Sequence, residues 1–248
     1  MSAHRVTRAV ILAAGRGTRL APLTDHMPKP LVPVNGRPII ATILDALNDA
    51  GISSITIVRG YAGAAFDMLR AEYPHLSYMD NPDWATANNI SSVARAGRAG
   101  LLEDSYVIEG DLYLAHPAVI TSMQERSNYI AFPVAKTDDW CFDTDAAGKI
   151  THIDTASDHP CHQMLGLSYW TAEDGRRLAA CANELYKEER YRQLYWDEIM
   201  LKYYPHECDI YIRECAREDV WEIDTVKELR ALEERVKGSK KANGIEGE

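Results

Sequence analysis

The amino-acid sequence predicts an α/β fold with a mixed, mostly parallel sheet flanked by helices. The first observation is that apolar runs alternate with amphipathic segments through the first half of the chain, which is typical of parallel strands joined by helices. The second is that this alternation changes after about Pro117, where apolar runs flank the turn signal 145–148 and favour a hairpin. The third is that 248 residues, 46% of them hydrophobic, are enough for one large α/β domain.

The first half supplies the parallel part of the predicted sheet. Its helix over 39–50 ends at Gly51, a natural helix stop, and its second strand closes at Gly60. The predicted elements of this half are strands over 9–13, 54–59, 76–80 and 105–109 and helices over 39–50, 64–72 and 88–100.

The second half mixes antiparallel strands with helices. Its last predicted helix is amphipathic, with Val226, Leu229, Leu232 and Val236 on one side. The predicted elements of this half are strands over 130–136, 149–154, 165–170 and 208–214 and helices over 173–187, 195–204 and 225–237.

Charge and composition exclude several classes of function. The net charge of −10 argues against a nucleic-acid-binding surface. No apolar run reaches the ~18 residues that a membrane span requires, so we expect no membrane partner. The five cysteines are odd in number and form no C-x-x-C pair, which favours a reducing, cytoplasmic location over a disulfide framework or zinc site.

A loop of very small residues directly follows the first predicted strand. Backbone N–H groups of such a loop can approach an anion closely. Arg19 and Lys29 follow the loop and would add charge-assisted contacts to phosphate oxygens. The pattern matches neither G-x-x-x-x-G-K-[ST] nor G-x-G-x-x-G, so an ordinary tight turn is the alternative. The loop residues that we assign to a nucleotide are Leu12, Ala13, Ala14, Gly15, Gly17 and Thr18.

Two aspartates are candidate metal ligands. Asp111 follows the strand 105–109, after Glu109 and Gly110, and Asp224 precedes the last predicted helix. Ligands of open α/β sheets lie at the carboxyl ends of strands, so Asp111 should face the same crevice as the small-residue loop. Two carboxylates, with water and phosphate oxygens, are ordinary Mg²⁺ ligands, whereas a turn or a helix cap is the alternative for each. We also assign Gly110 to the nucleotide.

A cluster of amides and hydroxyls precedes the third predicted helix. Asn88, Asn89 and Ser92 could line a nucleotide pocket, because amides supply both the donors and the acceptors that the edge of a pyrimidine requires. Capping of the helix by asparagine is the alternative.

Three tryptophans stand beside acids in the second half. Aromatic faces with carboxylates suit a cationic amine, and a quaternary ammonium best of all, whereas a place in the core is the alternative for each ring. Lys136 is a candidate for contact with a phosphate group of the ligand, with a solvated lysine as the alternative. The residues that we assign to a cationic amine are Asp139, Trp140, Trp196, Asp197 and Trp221.

The string 12–24, together with Pro28-Lys29-Pro30-Leu31, resembles the signature of nucleotidyltransferases that join a nucleoside triphosphate to a phosphorylated small molecule. More narrowly, the chain is similar from Val10 to about Val236 to bacterial choline-phosphate cytidylyltransferases and to the related enzymes that activate 2-aminoethylphosphonate with CTP. The segments that carry this similarity are Asn88-Asn89-Ile90-x-Ser92, Ser105-Tyr106-Val107-Ile108, the Trp140 segment, Gly166-Leu167-Ser168-Tyr169-Trp170, Leu194-Tyr195-Trp196-Asp197 and Glu222-Ile223-Asp224.

This resemblance implies a Rossmann-like nucleotidyltransferase fold, CTP as donor and a small zwitterionic phosphate or phosphonate as acceptor. It implies Mg²⁺ bound by Asp111 and Asp224, and a triphosphate stabilised by the catalytic residues Arg19 and Lys29. Two departures concern the amine and not the reaction class. Many choline-phosphate enzymes have Asp-Ala-Asp where this chain has Glu109-Gly110-Asp111, and many have Glu where this chain has Asp139 before its tryptophan.

We therefore predict one nucleotidyltransferase domain over 1–237, with a nucleotide-binding half over 1–116, an acceptor-binding half over 117–237 and a polar tail over 238–248. The predicted reaction activates phosphocholine with CTP, and 2-aminoethylphosphonate is the alternative acceptor. A sugar-1-phosphate nucleotidyltransferase and a catalytically silent nucleotide-binding module are further alternatives. We expect a cytoplasmic protein, with a homodimer as the candidate assembly.

Overall fold

The computed structural model describes residues 3–242. Nine strands form one mixed sheet, in which Arg8–Ala13 lies parallel to Ser54–Arg59 on one side and to Ser105–Glu109 on the other. Ser77–Asp80 extends the parallel part, whereas Cys161–Trp170 pairs antiparallel with Ser105–Glu109. The predicted mixed α/β fold is thereby confirmed. The strands that complete the sheet are Asn128–Val134, Cys141–Thr144, Ile150–Asp154 and Tyr211–Glu214.

The strand Arg8–Ala13 supplies side chains to both faces of the sheet, because successive residues of a strand point in opposite directions. On one face Ile11 joins the core against the helix Ile39–Asp49. On the other face Val10 joins a second core, which contains residues of the helices Ile90–Arg98 and Ala172–Lys187. The site-bearing loops therefore project from a strand that is fixed on both faces.

Two predicted α-helices differ in the structure. The segment predicted over 64–72 is a 3₁₀ helix, Gly63–Ala71, whose buried side chains Phe66 and Leu69 stand three residues apart, as 3₁₀ geometry favours. The segment predicted over 195–204 contains a single π turn, Ile199–Tyr203. The remaining short helical turns are Thr18–Leu20, Lys29–Leu31, Pro82–Ala85, Pro117–Val119 and Glu189–Tyr191.

A short antiparallel pair, Leu112–Leu114 with Val220–Glu222, was not expected from the sequence. It places Glu222 opposite Leu112 and so brings Glu222 and Asp224 beside Asp111. Strands this short show no periodicity, and their pairing depends on contacts between distant parts of the chain. Two further pairs have strands of two residues each, His4–Arg5 with Met123–Gln124 and Pro33–Val34 with Arg37–Pro38.

The last helix, Val226–Ala242, packs Leu229 and Leu232 into a third core with Leu20 and Ile223. It continues past the predicted end at residue 237, and residues 243–248 of the predicted polar tail lie outside the described residues. Between residues 3 and 242 we find no helix with the length and apolar character needed to cross a bilayer.

Candidate active site

The carboxyl ends of the strands Arg8–Ala13 and Ser105–Glu109 line a cavity of about 520 Å³. This is where ligands bind in open α/β sheets. It brings together most of the residues that the sequence nominated. The nominated residues that line it are Leu12, Ala13, Ala14, Gly15, Gly17, Arg19, Lys29, Asn88, Asn89, Ser92, Asp111, Asp139, Trp140, Asp197 and Asp224.

Lys29 is the central cation of the cavity, although only 5% of it is exposed. Its Nζ lies 2.6 Å from Asp111 Oδ2 and 2.6 Å from Asp224 Oδ1. Burial alone would lower the pKa of Lys29, but the two carboxylates outweigh burial and raise this pKa above its ordinary value. Lys29 is therefore a fixed positive charge at neutral pH.

Gly17 allows the loop to fold against Lys29. Its φ of +66° lies in the left-handed region, and a Cβ at this position would stand 2.6 Å from Lys29 Cβ. The hydroxyl of Thr24 donates to the carbonyl oxygen of Gly17 at 2.9 Å and holds the turn. The small residues of the loop thus allow it to pack closely on Lys29. They also leave the backbone of the loop accessible from the cavity.

Arg19 supplies the second cation, since its Nη1 lies 2.7 Å from Asp224 Oδ2. Asp224 does not cap the following helix. Thr225 and Glu228 form the capping box instead, because Glu228 N donates to Thr225 Oγ1 and Thr225 N donates to Glu228 Oε2. The carboxylate of Asp224 is consequently available to the cavity.

Glu222 joins Asp111 and Asp224 in a cluster whose carboxylate oxygens lie within 4.8 Å of one another. Three carboxylates offer the hard oxygen ligands that a divalent cation prefers, so the donor set fits a divalent metal ion. Burial, reinforced by the charges of Asp111 and Asp224, raises the pKa of Glu222 to about 8. Such crowding of like charge is what a bound cation would relieve.

Glu109 and Asp197 form a second acidic group in the cavity. Burial raises the pKa of Asp197 to about 7, against the opposing effect of the Tyr129 hydroxyl. Burial and the nearby charges of Asp197 and Asp111 raise the pKa of Glu109 well above its usual range. Asn89 Nδ2 donates to Glu109 Oε1 at 3.1 Å and thereby fixes the orientation of that carboxyl.

Asp139, Trp140 and Tyr195 complete this acidic part of the cavity. The rings of Trp140 and Tyr195 meet edge to face, with centroids 5.7 Å apart. Asp139 Oδ1 accepts the backbone N–H of Trp140 at 2.7 Å, and its Oδ2 accepts from Gln163 Nε2 at 3.2 Å. Two aromatic rings and a carboxylate thus stand side by side in this part of the cavity, and the carboxylate is the group that attracts a cationic ligand.

A third part of the cavity is polar and uncharged. The buried Asn81 donates through Nδ2 to the hydroxyls of Ser91 at 2.8 Å and Ser92 at 3.0 Å. Trp84 lies against Gly60, where a Cβ would come within 2.6 Å of the Trp84 Cβ. Amide and hydroxyl groups beside a ring are suited to bind a nucleobase.

The structure places two of the three nominated tryptophans outside the cavity. Trp196 is fully buried in the second core and stacks on Tyr129 with centroids 5.6 Å apart, while its Nε1 donates to Glu109 Oε1. Trp221 precedes Glu222 in a strand, so the alternation that turns Glu222 into the cavity turns Trp221 away. Its ring packs against the third core instead.

Three further nominated residues do not line the cavity. Lys136 is exposed beyond the end of the strand Asn128–Val134, and Thr18 is exposed at the start of a 3₁₀ turn. Gly110 lies beneath the loop, where its N–H donates to Leu12 O at 2.9 Å. Gly110 therefore holds the end of the strand from which the small-residue loop begins.

Sequence reasoning did not nominate several residues that line the cavity, among them Glu222, Glu109 and Tyr195. A signal for the two glutamates was present. Glu109 and Asp111, and likewise Glu222 and Asp224, are two residues apart, the spacing that puts both side chains on one face of an extended chain. No comparable pattern marks Tyr195.

Comparison with known proteins shows the family of the chain. The family model of the MobA-like NTP transferase domain matches residues 9–197. The chain belongs to this family. The family confirms the predicted class of enzyme, a nucleotidyltransferase, and the predicted fold.

Similar members of the family are known from bacteria. The chain is 37% identical to the 2-aminoethylphosphonate cytidylyltransferase of Lancefieldella rimae, over 92% of each chain. It is 32% identical to the choline-phosphate cytidylyltransferase of Streptococcus pneumoniae, over 93% of this chain and 98% of the relative. The solved structure of CTP:phosphocholine cytidylyltransferase from Streptococcus pneumoniae superposes with a TM-score of 0.85, at 31% identity, over 93% of this chain and 99% of that one.

Proposed function

We propose that this protein is a magnesium-dependent cytidylyltransferase, which transfers CMP from CTP to a small amine-bearing phosphate or phosphonate and releases pyrophosphate. The observation that carries the proposal is the composition of a single cavity. It combines a paired lysine and arginine beside a small-residue loop with a separate group of carboxylates that have no cationic partner between residues 3 and 242. The named relatives, which act on 2-aminoethylphosphonate and on phosphocholine, support the same acceptor class.

The chemistry requires positioning and charge stabilisation more than proton transfer. The attacking oxygen of a phosphate or phosphonate is already ionised at neutral pH, so it needs no strong general base. It attacks the α-phosphorus of CTP, and pyrophosphate leaves in line. Lys29 neutralises the charge that develops on the α-phosphate, and Arg19 with the N–H groups of Gly15 and Gly17 holds the leaving pyrophosphate.

Asp111 and Asp224, with Glu222 beside them, would hold Mg²⁺, which supplies charge neutralisation to the triphosphate. In this structure Lys29 already pairs with both aspartates. When a metal–nucleotide complex binds, the triphosphate offers Lys29 new anionic partners, so the lysine can exchange carboxylates for phosphate oxygens.

Pyrophosphate release tests the proposal. With Mg²⁺ and an amine-bearing acceptor, CTP should release pyrophosphate faster than UTP, ATP or GTP, and only when the acceptor is present. Asp111→Asn should abolish turnover, whereas Asp158→Asn, which changes a fully exposed carboxylate outside the cavity, should retain it. CTP binding without turnover would instead indicate a catalytically silent module, and faster turnover with a sugar 1-phosphate would indicate the sugar nucleotide reaction.

We also propose that the protein works in the cytoplasm, since its five cysteines are all free thiols and CTP is an intracellular substrate. A homodimer stays a prediction, which sedimentation velocity would test.

A further inference from the structure

The acidic part of the cavity has no internal counter-charge. Glu109, Asp139 and Asp197 all line it. The lysine and arginine that line the cavity, Lys29 and Arg19, are paired with Asp111 and Asp224 instead. Within residues 3–242, therefore, no cation compensates these three acids. A desolvated carboxylate is costly without a partner, so a ligand that brings positive charge stabilises this part of the cavity.

The aromatic lining is too sparse for a cage. A quaternary ammonium has no N–H group and is held by the faces of several rings around it. Here Trp140 and Tyr195 are the rings beside the acids, and they meet edge to face. Trp196 and Trp221 lie outside the cavity. The remaining lining ring, Trp84, belongs with the polar group of Asn81.

Hydrogen-bond acceptors, in contrast, are abundant. Asp197 is only 3% exposed, and its Oδ1 is buried without a hydrogen-bond partner among the described residues. Both hydrogen bonds that Glu109 accepts from the described side chains, from Asn89 and Trp196, go to Oε1, and Oε2 lies on the side where Gly166 has no side chain. A buried carboxylate oxygen without a donor is strongly destabilising, and an N-methyl group cannot satisfy it.

We infer that the acceptor is a 2-aminoalkyl compound whose primary ammonium donates its N–H groups to Asp197 and Glu109, in preference to a quaternary ammonium held by aromatic faces. This inference rests on the proposed function, because it concerns the acceptor of that reaction. Phosphoethanolamine and 2-aminoethylphosphonate share the required ammonium end and differ only in the linkage to phosphorus. Recognition of the ammonium end can therefore be tested separately from recognition of the phosphate or phosphonate end.

A panel of three acceptors tests the inference with the wild-type protein. Rates of pyrophosphate release with CTP and Mg²⁺ are measured for phosphoethanolamine, 2-aminoethylphosphonate and phosphocholine. We expect kcat/KM for at least one primary amine to exceed that for phosphocholine by about tenfold or more, since a site built for N–H donors rejects an analogue that lacks them. The comparison of the two primary amines then shows whether phosphate or phosphonate is preferred.

The outcomes separate the two proposals. If phosphocholine reacts as fast as both primary amines or faster, the inference is overturned and the cytidylyltransferase function stands. If no acceptor releases pyrophosphate from CTP, the proposed function fails and the inference falls with it.

Asp197→Asn adds a test of the contact itself. Because hydrogen bonds between charged groups are strong, this variant should lower kcat/KM for the primary amines by about tenfold or more. Their preference over phosphocholine should fall, while the KM for CTP stays unchanged. An equal loss with all three acceptors would show a merely structural role and contradict the assignment. Should this variant fail to fold, Asp139→Asn, at an exposed position of the same group, is expected to reduce the preference in the same direction.

Discussion

Replacement of Asp197 by asparagine should change how the stability of the ligand-free protein depends on pH. Burial raises the pKa of this carboxyl from 3.8 to about 7, and the residue is 3% exposed, so solvent screening is weak. A carboxyl whose pKa is raised by folding binds its proton more tightly in the folded state. Its contribution to stability is therefore complete below the unfolded pKa and is lost as the pH rises through the folded pKa.

The size of the effect follows from the two pKa values. Each pKa unit is worth about 1.4 kcal/mol, so the loss between about pH 5 and about pH 8 comes to roughly 2.5 kcal/mol. The neighbouring Glu109 interacts with Asp197 and also titrates with a raised pKa, and it does so in both the wild type and the variant. The comparison of the two proteins therefore isolates the contribution of Asp197 and its coupling to Glu109.

Urea unfolding at a series of pH values, followed by circular dichroism, measures this contribution. The free energy of unfolding of the wild type should fall by about 2.5 kcal/mol more than that of Asp197→Asn between about pH 5 and pH 8. Asp49→Asn, which changes an exposed carboxylate outside the cavity, is the matched control and should follow the wild type. Parallel pH profiles for the wild type and Asp197→Asn would refute the burial argument.

Three other substitutions test the packing and charge of the cavity. Gly17→Ala should cost about 1–3 kcal/mol of unfolding free energy in urea, because an L residue at φ +66° is strained and its Cβ meets Lys29; an unchanged midpoint would contradict this. Lys29→Met should bind Mn²⁺ about tenfold or more tightly without nucleotide, by electron paramagnetic resonance titration, since Nζ no longer competes for two carboxylates at 2.6 Å; equal affinity would show that lysine and metal do not share them. Gly166→Ala places a Cβ 2.6 Å from Glu109 Oε2, so the KM for the acceptor should rise while the KM for CTP stays constant, and a matching rise in both would point to general damage.

The sequence was informative where local chemistry decides the structure. The strand Ser105–Glu109 has the predicted bounds, because a short apolar run with β-branched residues and a glycine directly after it is typical of a buried strand. The small-residue loop and Lys29 were recognisable because close approach to an anion limits which residues can stand there. All of them line the cavity or support it.

The sequence was less informative where tertiary contacts decide. Trp196 and Asp197 are neighbours in an irregular segment, so the sequence shows no periodicity that indicates which side chain faces the cavity. In the structure the large indole ring of Trp196 packs into the core against Tyr129, and Asp197 faces the cavity. The pairing of Leu112–Leu114 with Val220–Glu222 joins distant segments. That pairing, and not any local motif, assembles the three carboxylates of the candidate metal site.

Phosphorus-31 magnetic resonance of the complete reaction tests the central claim most directly. The protein is incubated with CTP, Mg²⁺ and, in separate samples, 2-aminoethylphosphonate, phosphoethanolamine or phosphocholine. The account predicts that the CTP signals are replaced by equal amounts of pyrophosphate and of a CMP–acceptor product with a new P–O–P linkage. Intact CTP with all three acceptors, or CMP and pyrophosphate formed without consumption of an acceptor, would contradict it.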